Sequence, residues 1–189
     1  MHGLSRCKWL DISKLDYVYY HDYEWGVPIH NDDYFFENIV LESAQAGLTW
    51  YTILQKRKYY KLAYKYFNVQ KVSLFSNLDI SYLLNNKNII RHKGKIESSI
   101  NNAKVFIEIQ REFNSFSNYI WRFVDGDPII ESKFREKAQQ ISLIVYRDLK
   151  YRGFQFFGEK ITYAFLLACG LINGHDVICF KHYRNHLNK

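Results

Sequence analysis

The sequence predicts an all-α protein, and three observations carry that prediction. Apolar residues recur three and four apart through most of the chain, as they do along one face of a helix. No segment sustains the apolar/polar alternation of a half-buried strand, and no internal repeat is evident. The 189 residues include only two prolines and nine glycines, a composition that suits helices better than an all-β fold. A chain of this length is expected to form one domain, residues 1–189, with a core of its own.

Residues 1–31 read as irregular and rich in special residues. Arg6-Cys7-Lys8-Trp9 comes first, and Tyr17 to Pro28 then packs five aromatics, a histidine and two acids. Such a segment suits an aromatic flap on the core or the wall of a pocket. Asp32 and Asp33 are candidate N-caps of a helix on which Phe35, Phe36, Ile39 and Val40 recur. Phe35, Ile39, Glu42 and Ala46 fall on one stripe of it, so Glu42 stands where a hydrophobe is expected. A carboxylate there either rims the core or sits in a pocket, and Gln45 one turn on can share that pocket. Gly47 is expected to end or bend the helix, with Trp50 just beyond.

Ile53 to Phe67 reads as an amphipathic helix whose Lys56, Arg57, Lys58, Lys61 and Lys65 form a solvated face. Residues 68–88 alternate short helical pieces with polar breaks. Ile89 to Ile96 then places Arg91, His92, Lys93, Gly94 and Lys95 directly before a periodic helix. A tight turn that opens a helix presents backbone N–H groups and a positive dipole end, which suits a phosphate; an ordinary inter-helix turn has the same pattern. Further helices are expected over roughly 118–124, stopped by Asp125-Gly126-Asp127-Pro128, over 134–151, and over 159–171.

Composition excludes some classes of function. No run of 18 or more apolar residues exists, so no membrane span is expected. The first residues lack the apolar middle of a signal peptide. Cys7, Cys169 and Cys179 are an odd number and far apart, which argues against a disulfide framework and for a reducing cytosol. A net charge of +7 is compatible with a polyanionic partner such as nucleic acid.

The stretch from His175 to His186 raises a metal question. If it is helical, His175, Cys179, His182 and His186 share one face, and a histidine and cysteine four apart can grip one zinc ion. Distant partners are needed, and Cys7 and His21 are candidates. Spacing does not choose between Cys7/His21 and His182/His186. A Cys2His2 set fills a tetrahedral zinc, so such a metal would be structural.

Taken together, the chain resembles the DNA-3-methyladenine glycosylase I family of bacteria over nearly its whole length. The likeness rests on Arg6-Cys7-x-Trp9, Tyr20-His21-Asp22-x-Glu24-Trp25-Gly26, and Leu41-Glu42-x-x-Gln45-Ala46-Gly47-Leu48-x-Trp50. It continues in Ile89-Ile90-Arg91-His92-x-Gly94-Lys95-Ile96, Arg152-Gly153-Phe154, and Ala168-Cys169-Gly170-Leu171-x-Asn173-x-His175. The resemblance implies a helix-hairpin-helix glycosylase fold. It implies one structural Zn2+ held by Cys7, His21, His175 and Cys179, joining the N- and C-terminal segments. It assigns base recognition to Glu42, Trp50, Tyr20, Trp9 and Trp25, with Glu42 also the catalytic group. It implies DNA contacts from Gly47 and Leu48 and from the hairpin residues Arg91, Lys93, Gly94 and Lys95.

The implied activity is that of a monofunctional hydrolase that excises 3-methyladenine from double-stranded alkylated DNA in base excision repair. A cytoplasmic, bacterial monomer is expected. A base methylated at N3 is cationic and already a good leaving group, so the enzyme must extrude it, recognise it and admit water. The segment 131–140 is charged where relatives usually carry a Ser/Thr-rich loop. A zinc-stapled DNA-binding module without catalysis is the reading from another class; four protein ligands argue against a zinc hydrolase.

Overall fold

The structure, a computed structural model, describes residues 4–182. Among these residues nine α-helices follow in order: α1 (Leu15–Tyr23), α2 (Asp32–Gln45), α3 (Trp50–Ala63), α4 (Val69–Ser73), α5 (Asn77–Asn85), α6 (Lys93–Phe113), α7 (Phe116–Trp121), α8 (Glu131–Tyr151) and α9 (Glu159–Ala168). Short 3-10 turns follow α3 and α7. The only strands among the described residues are β1 (Ile129–Ile130) and β2 (Ile172–Asn173). They pair in parallel, Ile129 with Ile172 and Ile130 with Asn173. That bridge lays the C-terminal segment beside the start of α8.

The fold is organised around α2, which is buried continuously from Phe35 to Ala44. Phe35 packs on Phe116 and Phe165, and Phe36 on Phe106, so α6, α7 and α9 all close on it. Phe106 and Phe116 stack at 4.2 Å and 8°. Truncating either ring to alanine in such a core costs about 3–5 kcal/mol. A helix covered on all sides buries polar residues too, and each needs a partner. Glu37 takes a hydrogen bond from Arg57 at 2.6 Å, Asn38 donates to the Tyr34 carbonyl at 2.8 Å, and Ser43 donates to the Ile39 carbonyl at 2.8 Å. Glu42 makes no hydrogen bond to any described residue.

Several local expectations change. The segment 1–31 is not irregular throughout, because α1 lies within it. The buried side chains of α1 are Tyr20, His21 and Asp22, so aliphatic periodicity could not reveal it. The N-cap of α2 is Asn31, which accepts from the backbone N–H of Asp33 and Tyr34. Asp32 instead accepts from Gln110 Nε2 and from the backbone N–H of Phe116 and Ser117, tying α2 to the start of α7. The helix expected over 53–67 starts earlier, under a Thr49 cap, and stops at Ala63. Lys65, Tyr66 and Phe67 then take left-handed backbone (φ 52°, 59° and 57°). This conformation costs about 1–2 kcal/mol per residue and is held by burial of Tyr64 and Phe67. The segment after β2 is a series of turns through residue 182 rather than a helix.

The expected helix-hairpin-helix is α5, the turn over 86–92, and α6. His92 caps α6 by accepting from the Lys95 N–H. The turn is docked on α3: Ile90 N–H donates to the Tyr60 hydroxyl at 3.0 Å, and Lys56 Nζ donates to the Asn88 carbonyl at 3.2 Å.

Candidate functional site

Four helices, with Trp9 and Trp25 from the segments flanking α1, line a cavity of about 230 Å³ around the last turn of α2. Glu42 and Gln45 reach it from one face of α2. Trp50 opens α3, Tyr17 and Tyr20 come from α1, and Ala164 and Leu167 from α9; Trp9 and Trp25 complete the wall. The rings pack on one another. Tyr20 and Trp50 lie 5.3 Å apart, and Trp9 meets Trp25 edge-on at 4.9 Å. The volume is below that of a drug-sized pocket and suits one flat ring system.

Glu42 and Trp50 are two residues of this cavity with buried polar groups that lack protein partners. Glu42 is 4% exposed, and burial alone pushes its carboxyl up to about 8. Trp50 Nε1 is buried and bonds to nothing among the described residues. A planar ligand with donors and an acceptor on its edge would satisfy both. The sequence brought Glu42, Trp50, Tyr20, Trp9 and Trp25 forward, and all five line the cavity. It did not bring forward Tyr17, Ala164 or Leu167. The last two are three apart on an apolar helix and read as ordinary core.

A second cluster joins the chain ends. Cys7, His21, His175 and Cys179 are buried, and their ligand atoms lie within 4.8 Å of one another. The Cys7 Sγ–His175 Nδ1 distance is 3.3 Å; Cys179 Sγ lies 3.5 Å from His21 Nε2 and 3.6 Å from His175 Nδ1. Tetrahedral bonds of about 2.3 Å to sulfur and about 2.0–2.1 Å to nitrogen would separate such atoms by roughly 3.5 Å. Each histidine also has an outer partner that fixes its tautomer. His21 Nδ1 donates to Asp22 at 2.7 Å, and His175 Nε2 donates to the Trp25 carbonyl at 3.3 Å. Asp22 is gripped in turn by Arg6 at 2.7 Å.

The electrostatics agree with a metal centre. Burial, then the neighbouring His21, lowers His175 to about 4, and burial lowers His21 against the pull of Asp22. Both imidazoles are thus neutral, as ligation requires. Burial pushes the Cys7 thiol up to about 12, and a dication is the partner that offsets such a penalty. For Asp22 burial acts upward, but the hydrogen bonds from Arg6 and His21 outweigh it and the group ends below the usual carboxylate range. The backbone N–H groups of Asp176 and Lys181 point at the two sulfurs. Of the other candidate ligands, His182 turns away and bonds Ser132 Oγ at 2.8 Å, while His186 lies outside the described residues.

The hairpin residues divide. Arg91 and Lys93 are exposed, and Lys93 stands 3.7 Å from Glu97. Gly94 is packed beneath Phe156, where a Cβ would meet the ring at 2.9 Å. Lys95 turns inward and donates to the Ala44 and Ala46 carbonyls at 2.9 and 2.6 Å. Gly47 has φ +84° with open space around it, and Leu48 beside it is 42% exposed. Asp125 and Asp127 lie in the turn after α7, outside the cavity lining. Residues 131–140 form the first half of α8, with Phe134 non-helical.

An all-helical glycosylase fold, with an aromatic cavity over a buried acid, is the class these features define. The methyladenine glycosylase family model matches residues 9–182. DNA-3-methyladenine glycosylase 1 of Escherichia coli (strain K12) is 37% identical over 180 residues, which cover 93% of this chain and 96% of that protein. A crystal structure of 3-methyladenine DNA glycosylase I superposes with a TM-score of 0.87 at 40% identity, covering 94% of this chain and all of the other. A tyrosine-to-phenylalanine variant of such an enzyme, solved in complex with 3-methyladenine, superposes at 0.80 with 33% identity, covering 89% and 95%. The chain belongs to the methyladenine glycosylase family.

Proposed function

We propose that this protein is a monofunctional DNA glycosylase that extrudes 3-methyladenine from double-stranded alkylated DNA and hydrolyses its N-glycosidic bond, a first step of base excision repair. The observation that carries the reading is Glu42. It is a carboxyl group buried in an aromatic cavity, and it is the one buried polar residue of α2 with no protein hydrogen bond. In the free protein at neutral pH it is mostly protonated, because burial raises it to about 8. A cationic base entering the cavity favours the ionised form, so the carboxyl proton leaves to solvent as the base binds. The carboxylate then accepts hydrogen bonds from the base edge and stabilises its positive charge. Trp9, Trp25, Tyr20 and Trp50 offer aromatic faces that attract a cationic ring. Neutral adenine supplies no charge to draw the proton off Glu42, so the same cavity discriminates against it.

Extrusion costs a few kcal/mol, less for a lesion that already pairs weakly. Gly47 and Leu48 are suited to enter the gap, and Arg91, Lys93 and the α6 N-terminus to hold the strand. Cys7, His21, His175 and Cys179 would hold one zinc ion, which supplies a structural tie; four protein donors leave it no position for substrate. We read the chain as a single domain, a monomer and a cytoplasmic protein. No helix among the described residues is long and apolar enough to cross a membrane.

The test is release of free bases from N-methylated duplex DNA, resolved by chromatography. The wild-type protein should release 3-methyladenine and leave 7-methylguanine in place. Glu42→Gln, nearly isosteric, should lower the excision rate by about 10²–10³-fold. Full activity in that variant would remove Glu42 from the mechanism, and no release by folded wild-type protein would end the reading.

A further inference from the structure

Between α2 and α3 the chain runs through Ala46, Gly47, Leu48 and Thr49. This loop rims the base cavity, because the residues on either side of it, Gln45 and Trp50, both line the wall. The last turn of α2 contains no basic residue of its own to satisfy its carbonyls. A cation from elsewhere does so. Lys95 Nζ, in the first turn of α6, donates to both Ala44 and Ala46. An ammonium at a helix C-terminus meets the negative end of the dipole and two free acceptors at once. The same loop runs directly into α3, and α3 holds the hairpin turn through Tyr60 and Lys56. Loop and hairpin are therefore joined on both sides, through Lys95 and through α3.

Lys93, two residues away, shows what a solvent-facing lysine of this turn looks like: its side chain is 69% exposed. Lys95 is half-buried, and burial lowers its pKa. Two of its three N–H donors are engaged within the protein. We propose that Lys95 is a positioning residue that locks the Ala46–Thr49 loop to the hairpin, and that it does not contact DNA phosphate. The lock fixes the distance between the turn that grips the strand and the loop that enters it. The inference rests on the glycosylase reading. It assigns the phosphate contacts of this turn to Arg91, Lys93 and the backbone N–H groups.

The experiment compares Lys95→Met and Lys93→Met with the wild type in two measurements. The first is the dependence of binding to undamaged duplex on salt. Each lost phosphate contact lowers the logarithmic slope by about 0.9. Lys93→Met should show that decrease, and Lys95→Met should keep the wild-type slope. The second is the ratio of 3-methyladenine release from duplex to release from single-stranded DNA methylated without later heating. Lys95→Met should lower this ratio at least tenfold, because a loosened loop fails where a stacked base must be displaced. A decrease of about 0.9 in the Lys95→Met slope, or an unchanged ratio, overturns the proposal. If the methionine variant does not fold, Lys95→Arg decides. A phosphate contact would survive that exchange in both measurements. A loop anchor fitted to an ammonium would keep the slope and lose the ratio. Should the wild type release no base from either substrate, the glycosylase reading fails, while the slopes still report whether Lys95 faces phosphate.

Discussion

The metal-ligand cluster and the base cavity adjoin through Trp9 and Trp25, yet they are built on opposite plans. Around Cys7, His21, His175 and Cys179 every donor and acceptor has an inner or outer partner, down to Arg6 behind Asp22 and the Trp25 carbonyl behind His175. In the cavity, Glu42 and the Trp50 indole N–H are buried and left without protein partners. Buried polar groups without partners cost stability. A protein keeps them where a ligand completes the set. The contrast separates a region whose polar groups are matched within the protein from one that leaves them unmatched, and each half of it can be broken separately.

The largest effect is expected at the cluster. Cys179→Ser removes one of four donors and should abolish stoichiometric metal, lowering the unfolding midpoint on the order of 10 °C. Metal analysis and scanning calorimetry check this. A metal-free variant with the wild-type midpoint would make the cluster incidental.

At the cavity the sign reverses, and pH sharpens it. Glu42 has a folded value of about 8, above its unfolded value of about 4.3. Below the unfolded value the group costs nothing. As pH rises from the unfolded value toward 8 the folded state loses stability, because the unfolded chain releases this proton while the buried carboxyl keeps it. Glu42→Gln should therefore match the wild type near pH 4 and be the more stable protein above pH 8. The full shift corresponds to about 5 kcal/mol, and solvent reaching the cavity leaves of order 2 kcal/mol. Denaturant titrations across that range measure it, and a gain independent of pH would refute it. The same ionisation should appear in kcat/KM, rising with pH through a midpoint near 8 to a plateau above it in the wild type and flat in the glutamine variant.

The smallest effect tests the outer support of the cluster. Asp22→Asn keeps all four ligands but weakens the hold on His21 Nδ1. Competition with a chelator should show metal affinity reduced about tenfold, with excision retained when metal is saturating. Unchanged affinity would mean that His21 is oriented by packing alone.

The two regions also differ in how far the sequence disclosed them. Glu42 was visible because it interrupts an apolar stripe, and the helical class because periodicity survives without tertiary information. The candidate metal set was wider in sequence than in space. Cys7 and His175 lie 168 residues apart, and local spacing treats His182 as equal to His21. The family resemblance selected Cys7 and His21, and the β1–β2 bridge and the turns after it bring them together with His175 and Cys179. Helix α1 escaped for a related reason, since its inward side chains are a ring and two polar groups serving the cluster. Lys95 read as one more cation of a basic turn. Its inward direction follows from where α2 ends, which no spacing along the chain encodes. Tyr17, Ala164 and Leu167 carry no sequence signal that separates a cavity wall from a core.

The long separation between the halves of the cluster has a consequence in time. A ribosome adds about 5–20 residues per second, so on the order of 10 s pass between the appearance of Cys7 and that of its partner His175. During that interval the nascent N-terminal segment holds a thiol and an imidazole that no other half can yet enclose. Most of the helical core can assemble meanwhile, since α2 through α9 precede His175 in the chain. The cluster cannot be complete before Cys179 has been added. Until then Cys7 and His21 lack two of the three residues they are grouped with, His175 and Cys179.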